Sequence, residues 1–191
     1  MMKETKETLK TRILDGTIAL FIEKGIERVT TRELTERLGI SRSHIYYYFS
    51  NWQTLCIEAL ARYMQRDLEE FAAELAGMTP PEKLSALVDN YLPDAPDTVW
   101  QLYDSLWQMA THNAAYAELA ESLTHKWDAF IAGIIDEGVE QGFFRAVNTA
   151  RATRQLGSML SGYADTLIIT PSPEKCKEAA EDIADFIRLI L

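Results

Sequence analysis

Arg42, Ser43 and His44 follow one another directly, and Tyr46, Tyr47 and Tyr48 come close behind. A guanidinium, a hydroxyl, an imidazole and phenols suit the edges of bases and the oxygens of phosphates, provided they project together from a rigid element. The flanking residues build that element. Ser41 is placed to cap a helix in which Ile45 and Phe49 share the inward face, leaving Arg42, Ser43, His44 and Tyr47 to point outward. Just before it, Thr30 and Glu33 stand at capping-box spacing, and Leu34 and Leu38 recur one helical turn apart. Gly39 supplies the left-handed residue that ends this first helix. A helix, a glycine turn and a short polar-faced helix is the layout of a helix-turn-helix, whose second helix enters the DNA major groove by its N-terminal residues. The tyrosines also suit a core, Tyr46 more so than Tyr47.

The stretch TTRELTERLGISRSHIYYYFSN resembles the TetR family of bacterial transcriptional repressors. The TTR opening, the LGIS turn, the IYYYF ending and the amphipathic helix that follows match the family pattern in order, all within residues 8–60. The resemblance implies a homodimer on double-stranded operator DNA. It divides the chain into a DNA-binding domain over 1–51 and an effector-binding and dimerisation domain over 52–191. By the same resemblance Arg32, Arg42, Ser43, His44 and Tyr46 read bases or face the groove. Thr31, Ser41, Tyr47 and Tyr48, with Thr30 at the first helix start, look like phosphate-positioning residues. Many members carry a phosphate-touching lysine where this chain has Trp52.

The charge balance fits that division. The 191 residues carry a formal net charge of −10. Residues 1–50 hold nine basic and seven acidic side chains, an excess of +2, which leaves ten basic and 22 acidic in the remainder. Phosphate contact needs local positive charge, so the asymmetry points DNA to the N-terminal segment and away from the rest. The polar opening MMKETKETLKTR is not a secretory signal. No apolar run nears the roughly 18 residues of a membrane helix. Cys56 and Cys176 stand far apart without metal-like spacing. A cytoplasmic protein with two reduced thiols is the expectation.

Helical periodicity recurs along the whole chain without a strand signal, and about nine helices are expected, an all-α fold. Lys6 to Lys24 carries an apolar stripe of Leu14, Ile18, Phe21 and Ile22 and completes a three-helix head. Trp52 to about Ala76 forms a long link, ended by Gly77 and the Pro80–Pro81 pair. Helices over Glu82–Tyr91, Thr98 to about Thr111, Tyr116–Gln141, Thr149–Ile169 and Pro173 to about Ile190 follow.

Thr98–Thr111 is apolar on two sides, with Trp100, Tyr103 and Trp107 along one of them. This stripe suits a core. It equally suits the wall of an effector pocket with Tyr91, Trp127 and Tyr163, where aromatic faces attract cations and Asp104 or Asp165 adds counter-charge. The C-terminal half is faintly similar to the choline-responsive, BetI-like branch of the family. Gly157, Ser161 and Ala164 form a small-residue stripe, and with Ile183, Phe186, Ile187 and Ile190 they suit a four-helix dimer interface or internal packing.

Nothing argues for catalysis, a cofactor or a metal. There is no phosphate-binding glycine loop, and GSMLSG lies within a helix rather than on a strand–turn–helix elbow. His44, His112 and His125 lack a metal spacing, and Glu121 with His125 suits a solvated helix face. The expectation is a ligand-responsive dimeric repressor of TetR type, released from its operator when an effector shifts the long helix. The alternative is an effector-independent architectural DNA-binding protein of the same fold.

Overall fold

The computed structural model describes residues 6–191. The opening Met1–Thr5, part of the stretch read above as lacking a secretory signal, lies outside them. Nine α-helices and no strand occur among the described residues. They are α1 (Lys6–Lys24), α2 (Thr31–Leu38), α3 (Arg42–Tyr48), α4 (Trp52–Glu74), α5 (Pro80–Tyr91), α6 (Thr98–Ala110), α7 (Ala114–Glu140), α8 (Thr149–Ile169) and α9 (Pro173–Ile190). The all-α expectation holds, with small shifts at helix starts. α5 begins at Pro80 rather than Glu82, because Thr79 N–H and its hydroxyl both donate to Glu82 Oε2 at 2.7 Å. The two prolines then occupy the first turn, where no N–H is needed. α7 begins at Ala114 rather than Tyr116, since Asn113 Oδ1 takes the N–H of Ala115 at 3.0 Å.

The helices gather into two compact units. The first holds the described residues up to Glu69 together with Gln101–Glu121. Its reading head closes on Ile13, Phe21, Leu34, Ile45 and Phe49, all buried. α1 meets α2 closely at Gly16, where a Cβ would stand 3.0 Å from Leu38 Cδ2. A 3-10 turn, Ile26–Arg28, not anticipated from the sequence, joins these helices and buries Ile26. Elsewhere in this unit Gln53 Nε2 donates to Asn113 Oδ1 at 2.9 Å, tying α4 to the start of α7.

The second unit is Glu70–Trp100 with Ser122–Leu191. Here α8 packs on α9, and α5 packs on both. Leu84, Leu87, Ile131, Ile135, Leu156, Leu160 and Ile183 are buried in it. Phe144 presses on Gly138, where a Cβ would be only 2.0 Å from its Cδ2. The end of α9 is fastened as well. Arg145 N–H donates to Leu191 O at 2.9 Å, while its guanidinium donates to Leu189 O and Ile190 O. These carbonyls have no partner inside the helix, so the arginine supplies one.

Candidate functional site

The two short helices of the reading head are held by their own ends. Thr30 is extended and accepts the N–H of Glu33 at 3.3 Å, while Glu33 Oε2 takes the N–H of Thr30 at 2.9 Å. This is the capping box expected from the sequence. Lys24 Nζ adds a bond of 2.7 Å to Glu33. That lysine and then the threonine hold the Glu33 carboxyl down to about 2. Gly39 has φ 64° and ψ 35°, the left-handed turn that lets α2 stop and α3 start. Arg12 reaches from α1 to Leu38 O at 3.3 Å, covering the C-terminal end of α2.

On α3, Ile45 and the following Phe49 are buried, whereas Ser41, Arg42, Ser43 and His44 are exposed. Tyr46 is 47% and Tyr47 62% exposed, so both belong to the surface, and Tyr48 is half-buried with its ring edge-on to Tyr47 at 5.0 Å. The polar side chains of the short helix therefore emerge together on one side of a rigid core.

Several cations near this surface are already paired. Arg32 bonds Glu36 at 2.7 Å, Arg37 takes both oxygens of Glu23 at 2.6 and 2.7 Å, and Lys10 meets Glu58 at 2.7 Å. Arg42 makes no ion pair among the described residues. Exposed pairs such as Arg32–Glu36 are weak and exchange readily for a phosphate. Thr31 is half-buried at the α2 start. At the start of α4, Asn51 Oδ1 takes the N–H of Thr54 at 2.9 Å, a cap that sequence reasoning missed although Asn at that offset is a usual signal. Trp52 is half-buried there.

Of the residues grouped above as an effector wall, Tyr91, Trp100, Trp127, Tyr163 and Asp165 belong to the second unit and Tyr103, Asp104 and Trp107 to the first. Tyr91, Trp100 and Trp127 come together in the second unit, with ring centroids 5.4 Å apart for Tyr91–Trp100 and 5.6 Å for Tyr91–Trp127. Phe71 and Phe130 complete the cluster, at 6.1 and 6.0 Å from Trp127. These two phenylalanines were not singled out, although the Trp127–Phe130 spacing of one turn marks a shared face. Burial, and next the charge of Asp128, push the Tyr91 phenol upward.

Tyr103 and Trp107 lie in the first unit, 6.1 Å apart, and the Tyr103 hydroxyl donates to Asp67 at 2.9 Å. Asp104 accepts from Gln108 on its own helix at 2.9 Å. Tyr163 is half-buried on α8, and its hydroxyl donates to Asp182 of α9 at 2.5 Å. Asp165 is exposed on α8. Helical spacing placed these side chains on the right helices but could not say which neighbour each would meet.

The dimer set on α8 and α9 is corrected at two positions. Ala164 and Ile183 are buried within the single chain, where α8 and α9 press together, and so belong to its core. Gly157 is half-buried, with Asp128 Oδ1 3.6 Å from where a Cβ would be. Ser161 is exposed, and Phe186, Ile187 and Ile190 are half-buried. Phe186 lines a shallow α8–α9 groove with Arg154 and Met159, and Ile187 lines a separate groove of about 820 Å³ between α5 and α9. Among the described residues no cluster of three or more His, Cys, Asp or Glu is arranged to hold a metal. No helix among them is long and apolar enough to cross a membrane. His112, Glu121 and His125 are exposed.

Comparison with known proteins agrees with this geometry. Residues 13–59 match the family described as bacterial regulatory proteins, tetR family, and residues 80–191 match the BetI-type transcriptional repressor C-terminal family. The HTH-type transcriptional regulator YfiR of Bacillus subtilis is 25% identical over 152 residues, 76% of this chain and 72% of that protein. A TetR transcription regulator from Haloarcula marismortui superposes with a TM-score of 0.83 at 17% identity, covering 97% of this chain and 99% of that one. A regulator from Saccharomonospora viridis, solved in complex with choline, gives a TM-score of 0.78 at 24% identity over 94% and 95% of the two chains. With one family model matching residues 13–59 and the other more than half of the chain over 80–191, the chain belongs to the TetR family of helix-turn-helix transcriptional regulators and carries a C-terminal domain of the BetI type.

Proposed function

We propose that this regulator is a dimeric repressor that leaves its operator when a small cationic effector enters the aromatic cluster of the second unit. The DNA-reading part of this proposal rests on one observation. Arg42, Ser43 and His44 stand exposed on α3 while Ile45 and Phe49 anchor the same stretch in the core. Base contact falls to Arg32, Arg42, Ser43, His44 and Tyr46, and backbone contact to Thr30, Thr31, Ser41, Tyr47 and Tyr48.

The effector reading is supported by the five rings of Phe71, Tyr91, Trp100, Trp127 and Phe130, with the negative charge of Asp128 acting on the Tyr91 phenol. Aromatic faces and a nearby carboxylate are the chemistry that holds a quaternary ammonium group. The choline complex of the Saccharomonospora viridis regulator points to the same ligand class. Release follows only if the effector prefers the arrangement that does not fit DNA.

The test is a gel shift on operator DNA selected from random duplexes, with choline, other quaternary ammonium compounds and neutral isosteres added in turn. The cations should release DNA and quench tryptophan fluorescence. Asp128→Asn should weaken the cations about tenfold and leave neutral ligands unaffected. Operator binding indifferent to every cation would remove the cationic effector and favour the architectural reading.

A further inference from the structure

The start of α3 carries a hydrogen-bond chain whose direction is set by the main chain. Ser41 N–H points at Nδ1 of His44 at 3.3 Å. Ser41 Oγ lies 2.7 Å from the same nitrogen and 2.7 Å from Ser43 Oγ. A main-chain N–H can only donate, so Nδ1 carries no proton and acts as the acceptor. The Ser41 hydroxyl then gives its single proton to Nδ1 as well, and the Ser43 hydroxyl donates to Ser41 Oγ. The ring proton of His44 is left on Nε2, on a residue exposed at the head of the recognition helix.

We infer that His44 reads DNA as an obligatory hydrogen-bond donor through Nε2–H, which restricts its target to an acceptor atom. An unconstrained histidine can present either a donor or an acceptor by exchanging tautomers. This one cannot do so without setting N–H against N–H at Ser41 and undoing the turn that starts α3. The amino groups of cytosine and adenine, which are donors, are therefore refused. Guanine O6 or N7, adenine N7, thymine O4 and phosphate oxygens share the acceptor chemistry that fits. The inference rests on the assignment of α3 as the DNA-reading helix, and it adds the polarity of one contact to that assignment.

Two measurements test it. In the free full-length protein at mildly alkaline pH, long-range proton–nitrogen NMR should show the His44 ring protonated at Nε2. The resonance is identified by its absence in His44→Gln, and a proton on Nδ1 overturns the inference. On the selected operator, single positions are then replaced by 7-deazaguanine, by 7-deazaadenine, by a thymine analogue lacking O4, or by a methylphosphonate linkage. One replacement should cost the wild type about tenfold in affinity and cost His44→Ala nothing further. A base analogue as that replacement marks a base edge, and a methylphosphonate marks the backbone.

His44→Gln should keep the penalty, because its carbonyl takes the Ser41 N–H while its amide still donates. His44→Glu keeps the acceptor for Ser41 but has no donor, so it should lose the penalty, and it serves if the alanine variant does not fold. Penalties that are the same in wild type, alanine and glutamate proteins overturn the inference while leaving DNA binding intact. A protein that selects no operator overturns the underlying reading, which the NMR result does not depend on.

Discussion

At the scale of single residues, the cations of the reading head are not equivalent. Arg32 is tied to Glu36 and Arg37 to Glu23, while Arg42 makes no ion pair among the described residues. Base reading by arginine is bidentate and demanding in geometry, so removing Arg42 should matter most. Arg42→Ala should weaken operator binding by about 1–3 kcal/mol in a titration at fixed salt, with an unchanged melting temperature. Arg32→Ala should cost less, because the wild-type side chain must first give up Glu36. The identity and outward placement of Arg42, Ser43 and His44 were legible in the sequence, because Ile45 and Phe49 fix the opposite face by spacing alone. That Arg32 would be paired was equally readable from Glu36 one turn later. The pairing of Arg37 with Glu23 was not, since those residues lie on different helices.

At the scale of elements, helix ends and close approaches carry measurable energy. The Glu33 carboxyl lies at about 2 against an ordinary 4.5, held down first by Lys24 and then by Thr30. Because the folded value is the lower one, its stabilisation is present above about 4.5 and is lost as pH falls towards 2. Glu82, Glu23 and Glu137 are lowered as well, by Thr79, Arg37 and Lys83 respectively. Thermal melting followed by circular dichroism should therefore fall steadily between pH 5 and 2, and Glu33→Gln should flatten part of that fall.

The two glycines inside α7 make an opposing pair. A Cβ at Gly133 meets nothing within 4 Å, whereas one at Gly138 runs into the Phe144 ring. Gly133→Ala should stabilise the protein by about 0.5–1 kcal/mol through helix propensity. Gly138→Ala should destabilise it by about 1–3 kcal/mol through overpacking, and Phe144→Ala should relieve that clash in a double-mutant cycle. Urea melts of the four variants check both.

At the scale of the whole molecule, two copies are needed to read a two-fold operator with half-sites about 34–36 Å or a multiple apart. With Ala164 and Ile183 committed to the core of one chain, the dimer proposal moves to the outer faces of the same helices. Arg154, Ser158, Ser161, Asp165 and Ile169 recur along one exposed side of α8. Ile169 is 80% and Leu189 70% exposed, an unusual state for large apolar residues. The double variant Ile169→Asp with Leu189→Asp should sediment as a monomer at micromolar concentration, bind operator poorly and melt no earlier than a monomer of the wild type at high dilution. A wild-type chain that sediments as a monomer at that concentration would remove the dimer.

Periodicity, capping residues and charge division by themselves determined the helices, the helix-turn-helix and the end of the chain that meets DNA. Those features are local: a capping box closes over four residues, a helix face repeats every three or four, and a glycine turn needs only its own backbone. Only the tertiary structure decided which aromatic rings meet. Tyr91, Trp100 and Trp127 join Phe71 and Phe130, while Tyr163 turns to Asp182 and Tyr103 to Asp67. A stripe on a helix records that a face is apolar, not which partner lies across it, and that choice depends on how distant helices pack. The direction of the Ser43–Ser41–His44 chain lies between the two cases. Its residues are neighbours in the sequence, but only the folded turn brings the Ser41 N–H onto Nδ1, on which the proposed donor side of His44 depends.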